Sequence, residues 1–262
     1  MKHFILIIYL LIATSWTSED YVLIHQIPFE HVKCMTTDNL GNAFVIVGNQ
    51  LLQFDGGGKP KANFMEKNLG ELRSVDASNP MKIELFYPDF GQIILLNSNL
   101  AVQSTINLRN LGIIQPVLSC HSMVDGYWIF DLQDYQLKKV SLDLQVAFQS
   151  GDIRKWGQEK MTPNFMLEAD GFVYLNDPLN GILVFDRYGT FYKTIPIPGL
   201  KSFQIIENEL LYLKEGRCNA FHLKKHEDRP ILLPAADSVL NVRIEQRELY
   251  LLTSDSLSFY SF

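Results

Sequence analysis

The chain has 262 residues, of which 47% are hydrophobic, 12% aromatic and 20% charged. That much apolar surface offsets the entropy of ordering and excludes intrinsic disorder, and a chain of this length buries enough surface to fold as one domain without disulfide staples. With 23 Lys+Arg against 29 Asp+Glu, the net charge of −6 lacks the basic excess by which duplex nucleic acid is held, so a nucleic-acid partner is not expected.

Residues 1–15, MKHFILIIYLLIATS, have the layout of a secretory leader: Lys2 at the positive end, an apolar run from Phe4 to Ala13, and small residues at Ala13 and Ser15 for cleavage. The run is about half the ~20 residues of a membrane span. The expectation is a leader cleaved near residue 15 and a single mature domain over 20–262. That domain would be soluble, exported to the periplasm or cell exterior, monomeric and without a stable membrane span. Three cysteines, an odd number, have no C-x-x-C spacing. They predict buried or free thiols and no zinc site. Cys34 and Cys120 fall at equivalent places in a repeat, and Cys218 is expected in a loop.

From residue 21 onward period-two alternation dominates, and Asn, Asp, Gly and Pro punctuate short runs of Val, Ile, Leu, Phe and Tyr, an all-β signature. A polar turn followed by an aromatic and aliphatic strand recurs six times. The strands AFVIV, KIELFYP, YWIFD, FVYLND, LLYLKE and LYLLTS begin at Ala43, Lys82, Tyr127, Phe172, Leu210 and Leu249, at intervals of 39, 45, 45, 38 and 39 residues. Each interval accommodates four short strands, the size of a propeller blade. Two hairpins between third and fourth strands, FDGGGK (54–59) and FDRYGT (185–190), repeat one chemistry. Asp opens the turn and accepts from its backbone, and Gly three residues on takes the left-handed conformation.

The sixth unit ends after three strands. Its missing fourth is found at the other end of the chain, in YVLIHQIPF (21–29). An N-terminal strand that completes the last blade closes the ring and removes an open sheet edge. The fold predicted is therefore an all-β, six-bladed β-propeller. A β-sandwich does not account for six similar units, and a seven-bladed ring requires units of about 35 residues, shorter than the 45-residue intervals.

The D-x-x-G hairpins and the beat of turn then aromatic strand resemble NHL-like and gluconolactonase-like six-bladed propellers. More narrowly, DNLGN, VDASNP, GYWIFD, TPNF, GILVFDRYGTFYKTIPIPGLKSFQ and VRIE resemble a family of exported propellers from Gram-negative bacteria, across nearly all of 20–262. The resemblance implies a fold and an envelope location, brings no activity with it, and carries over no functional residue.

In a propeller the first strands line the channel, and the loops between second and third strands share a face with the blade-to-blade links. On that loop face the binding candidates are Tyr87, Asp89 and Phe90 in one hairpin, Asp177 in another, Arg154 and Trp156 in a long link, and the link cations Arg109 and Lys201. Each also has a plain structural reading as a packed aromatic, a turn cap or a solvated charge. The resemblance to lactonase-type propellers adds a metal alternative, in which Asp76, Glu168 and Glu245 on first strands converge on calcium or another divalent cation. No nucleophile elbow or phosphate loop is present, so no catalytic residue is assigned and no cofactor expected. The leading expectation is a non-enzymatic binding or scaffold propeller whose loop face and channel mouth meet an envelope protein. The alternatives are a metal-dependent hydrolase or lyase and a sensor of a small ligand or glycan.

Overall fold

A computed structural model describes residues 21–156 and 160–262, so the leader of 1–15 lies outside the described residues. Six antiparallel four-stranded sheets make a six-bladed β-propeller. Blade 1 runs Val32–Thr37, Ala43–Val47, Gln50–Phe54 and Pro60–Met65. Blade 2 runs Ser74–Asp76, Ile83–Tyr87, Gln92–Leu96 and Val102–Asn107. Blade 3 runs Pro116–His121, Tyr127–Asp131, Gln136–Val140 and Val146–Gln149. Blade 4 runs Phe165–Ala169, Phe172–Asp177, Gly181–Asp186 and Phe191–Ile195. Blade 5 runs Phe203–Ile206, Glu209–Lys214, Arg217–His222 and Asp228–Ile231. Blade 6 takes Asn241–Glu245, Glu248–Leu252 and Ser256–Ser261 from the C-terminus and Val22–Pro28 from the N-terminus. The last two pair antiparallel, from Val22 opposite Ser261 to Pro28 opposite Ser256. The closure read from the sequence is present.

The core is divided into six wedges, one at each blade interface. Phe44, Ile46 and Leu51 of blade 1 meet Val75, Leu85 and Tyr87 of blade 2, and Met35, Val45 and Phe54 meet Tyr250, Leu257 and Phe259 of blade 6. Every inner strand therefore has a neighbouring blade on both faces. This corrects the expectation that alternation dominates: the second strands Ile83–Tyr87 and Tyr127–Asp131 are buried at all positions, while alternation survives in first strands such as Phe165–Ala169 and in outer strands such as Pro60–Met65. A strand covered on both sides has no solvent face for a polar residue to occupy. Cys218 is also corrected. It lies buried in the third strand of blade 5, not in a loop, while Cys34 and Cys120 both lie in first strands; all three are free thiols.

The hairpin chemistry extends further than the two Asp-Gly turns. Asp55 and Asp186 each accept from the backbone as expected, with Gly58 and Gly189 at φ +79°. Asn97 and Ser141 open the equivalent turns of blades 2 and 3, where Leu100 and Leu144 hold the left-handed position at φ 58° and 57°. A branched side chain there costs about 1–2 kcal/mol of backbone strain. Leu100 is 4% exposed and its burial offsets that cost, whereas Leu144 is 39% exposed. Leu144→Gly is expected to raise stability by up to about 1 kcal/mol in urea unfolding. Leu100→Gly should lower it by about 2 kcal/mol or more, because the core contact is lost.

Candidate functional site

The hairpin of blade 2 turns through a short 3-10 segment, Pro88–Phe90, ended by Gly91 in the left-handed region at φ +61°. It brings three predicted residues together. The Asp89 carboxylate accepts from the Glu71 amide at 3.2 Å, Arg109 donates through Nη2 to the Asp89 carbonyl at 2.8 Å, and Phe90 stands 46% exposed. Tyr87 is not part of this surface. It is fully buried in the wedge between blades 1 and 2, where burial pushes its hydroxyl up to about 12.

Asp177 is likewise buried. Its oxygens accept from the Leu179 amide at 3.0 Å and from Asn180 Nδ2 at 2.8 Å, so it fastens the turn and presents no group to a ligand. Arg154 is held by Asp152 through two nitrogens, Nε at 2.9 Å and Nη2 at 2.6 Å, with its guanidinium 4.4 Å above the Tyr135 ring. The Arg154 guanidinium in turn holds the Asp152 carboxyl down at about 2. Trp156 stacks on Phe191 with centroids 5.4 Å apart. Phe191 opens the fourth strand of blade 4 and Phe185 lies in its third, so Trp156 packs against the outer strands of that blade.

Lys201 lines a cleft of about 180 Å³ between blades 5 and 6. Two blade links and the second hairpin of blade 5 meet there. Lys201 comes from one link, Leu240 from the other, and Lys214 and Glu215 from the hairpin. Buried Leu211 and Val242 contribute apolar walls. Sequence reasoning missed Lys214, because at the end of a strand it reads as a solvated charge.

The three first-strand acids do not come together. Asp76 accepts from the His121 amide at 2.9 Å, joining blades 2 and 3. Glu168 accepts from Trp128 Nε1 at 2.6 Å, joining blades 4 and 3. Glu245 accepts from Thr37 Oγ1 at 2.5 Å and Gln204 Nε2 at 2.8 Å, tying blade 6 to both neighbours. Among the described residues no three His, Cys, Asp or Glu side chains are grouped as a metal ion requires. Each acid acts as a staple between blades.

Two buried ionisable groups escaped the sequence reading. Glu84, on the second strand of blade 2, accepts from Ser119 Oγ of blade 3 and is 1% exposed, with Oε2 unpartnered. Burial, reinforced by nearby Asp76, pushes its carboxyl up to about 8. Arg243 of blade 6 is buried and donates through Nη1 to the Phe203 carbonyl at 3.3 Å. Both lie among apolar neighbours in short strand runs, a context that in sequence signals only an interruption of the apolar pattern.

The face opposite the loop face carries the turns between first and second strands. In blades 1 to 3 these are long and lift apolar side chains into solvent: Leu40 is 67% exposed, Met81 61%, Met123 59% and Val124 71%. The turns themselves are firmly built. Asp38 accepts from the Leu40 and Asn42 amides, Asn79 accepts from the Met81 amide, and Lys139 pairs with Asp125 at 3.1 Å. Gly126 closes the third turn at φ +73°, where a Cβ would stand 1.9 Å from the Val140 carbonyl oxygen. The same turns in blades 4 to 6 are two-residue and polar: Asp170-Gly171, Glu207-Asn208 and Gln246-Arg247.

The chain superposes on virginiamycin B lyase from Staphylococcus aureus with a TM-score of 0.64 at 10% identity, over 93% of this chain and 100% of that one. The WD40 domain of Neurospora crassa Pan2 gives a TM-score of 0.59 at 10% identity, over 93% and 96%. BBS1N, solved in complex with ARL6DN, gives 0.57 at 13% identity, over 92% and 96%. At these identities the likeness is one of fold. No protein-family model and no curated protein matches the sequence.

Proposed function

We propose that this chain is a non-enzymatic binding propeller of the bacterial cell envelope, a rigid closed ring that docks a protein partner. The observation that carries this reading is the half-ring of apolar tips, Leu40, Met81, Met123 and Val124, on the inner turns of three consecutive blades. Four such side chains exposed on backbone-braced turns cost solubility and contribute nothing to the wedges of the core, and clustered exposed apolar surface of this kind marks interaction sites. Phe90, with Asp89 and Arg109, offers a smaller secondary contact on the loop face. Neighbours of the same fold support the reading in general terms, since BBS1N was solved bound to ARL6DN.

The test is a single variant, L40S/M81S/M123S/V124S, compared with wild type in cross-linking and pull-down from the native envelope. Exposed substitutions of this kind change stability by about 0.5 kcal/mol or less each, so thermal unfolding should be nearly unchanged. The wild type is expected to retain one specific partner that the variant loses. Identical recovery by both proteins would overturn the assignment of this face, and a variant that fails to fold would show that the tips are structural.

A further inference from the structure

We infer that the cleft between blades 5 and 6 is a receptor for a carboxylate joined to an apolar residue, the chemistry of a polypeptide C-terminus. It is on the face opposite the apolar tips and does not depend on them. The cleft's volume of about 180 Å³ is below the ~300–1,000 Å³ of pockets that enclose whole small-molecule ligands. It accommodates one side chain and the polar group attached to it.

Its lining is divided by chemistry in the same way. Leu211 and Val242 are buried side chains of blades 5 and 6, 4% and 7% exposed, and supply apolar walls. Lys201 and Lys214, from a blade link and a hairpin strand, are the two cationic residues of the lining. Among the described residues neither lysine has an ion-pair partner, although Glu215 adjoins Lys214 and also lines the cleft. Two cations beside one acid leave the lining net positive. An ammonium beside partly desolvated apolar walls makes a stronger charge-assisted bond to a carboxylate than it does in open solvent. A bare inorganic anion leaves the apolar walls unfilled, and an uncharged apolar group leaves the lysines unused.

The position is rigid. Asn241, at the start of the first strand of blade 6, donates through Nδ2 to the Met35 carbonyl of blade 1 at 3.1 Å, and the Lys214 hairpin closes through Glu215 and Gly216, both left-handed at φ 50° and 73°. Little ordering is therefore required on binding, and preorganisation of this kind favours small ligands.

The experiment titrates the full propeller, labelled at Leu and Val methyls, with three peptides and one control by NMR. The peptides are acetyl-Ala-Ala-Leu as the free acid, the same peptide as its C-terminal amide, and acetyl-Ala-Asp-Ala amide, which carries its carboxylate on a side chain. The control is inorganic phosphate. The free acid is expected to shift the Leu211 and Val242 methyls with millimolar affinity and the amide to bind about tenfold more weakly, the cost of one charge-assisted contact. K201A/K214A should also weaken the free acid about tenfold, K201E/K214E should abolish binding, and raising NaCl from 0.05 to 0.3 M should weaken it several-fold. Binding of the aspartyl peptide in preference to the free acid would overturn the proposal, because that peptide carries no large apolar side chain and no C-terminal carboxylate. Equal binding of acid and amide, unchanged affinity in both lysine variants, phosphate matching the free acid, or no shift from any peptide at 20 mM would each overturn it. Methyl spectra that retain wild-type dispersion in the variants separate lost binding from lost folding, and none of these outcomes bears on the apolar tips.

Discussion

Deleting residues 22–28 is expected to destroy the cooperative fold, and a synthetic peptide of residues 20–31 is expected to restore it. The strand is the outer edge of blade 6, paired with Ser256–Ser261 along its length apart from a register shift at Ile24. It is also fastened by the Phe29 amide to the Asp255 carbonyl at 2.8 Å and by Gln26 Nε2 to Ser256 Oγ at 2.9 Å. Phe29 then packs edge-on against Phe54 of blade 1, with centroids 5.7 Å apart. A handful of net hydrogen bonds at about 0.5–1.5 kcal/mol each, with the apolar contacts of Ile27 and the loss of the strand that holds Phe29 in place, comes to roughly 4–8 kcal/mol, comparable with the lower half of a typical domain's 5–15. Deletion also leaves Ser256–Ser261 as an unprotected edge, which invites aggregation. Urea unfolding with and without the peptide measures this. A deletion protein that unfolds within about 1 kcal/mol of wild type would show that the ring does not depend on its clasp.

The second large effect belongs to Glu84, and its sign follows from the direction of its shift. The carboxyl is raised from 4.5 to about 8 in the folded protein, first by burial and then by Asp76, with the Ser119 hydrogen bond opposing. Between those two values the folded state binds a proton that the unfolded chain has released, so stability declines as pH rises. The full contribution is present below about 4.5 and is lost by about 8. At 1.36 kcal/mol per pH unit, the interval from 4.5 to about 8 makes the loss about 5 kcal/mol as an upper figure. Glu84→Gln mimics the protonated acid, keeping an acceptor for Ser119 without the charge. It should match wild type near pH 4.5 and exceed it by several kcal/mol near pH 8.5 in urea unfolding, with the difference curve isolating this one group. Parallel curves across that range would rule out a buried, proton-holding Glu84.

How far the site was legible varies by residue. Asp89, Phe90 and Arg109 were found because a Pro-containing hairpin and a cationic link stand out locally, and the structure does bring them together. Tyr87 and Asp177 have the same local appearance. The strand geometry turns the first into a wedge between blades, and the second closes its own turn, and no local pattern separates those fates from exposure. Asp76, Glu168 and Glu245 were correctly placed on first strands. Whether three acids converge or each reaches to the next blade depends on the angle between blades, and their partners Thr37, His121, Trp128 and Gln204 are roughly 40 residues away or, across the closure, about 200. The apolar tips sit in the turns DNLGN, NPM and MVDG, whose local sequence marks only the repeat. Sequence alone does not say that three long turns fall side by side.

The local pattern determined the units of this protein: strand length, turn chemistry, the six-fold count, and the need for residues 21–29 to finish what the C-terminus leaves open. Those follow from backbone hydrogen bonding and from side-chain preferences within a few residues of each other, which the linear order carries. Only the tertiary structure decided which polar groups become staples, that the core is six wedges between blades, and that Lys201 and Lys214 share a cleft. Those outcomes arise where neighbouring sheets press together, and there burial and charge are set by residues one whole blade away.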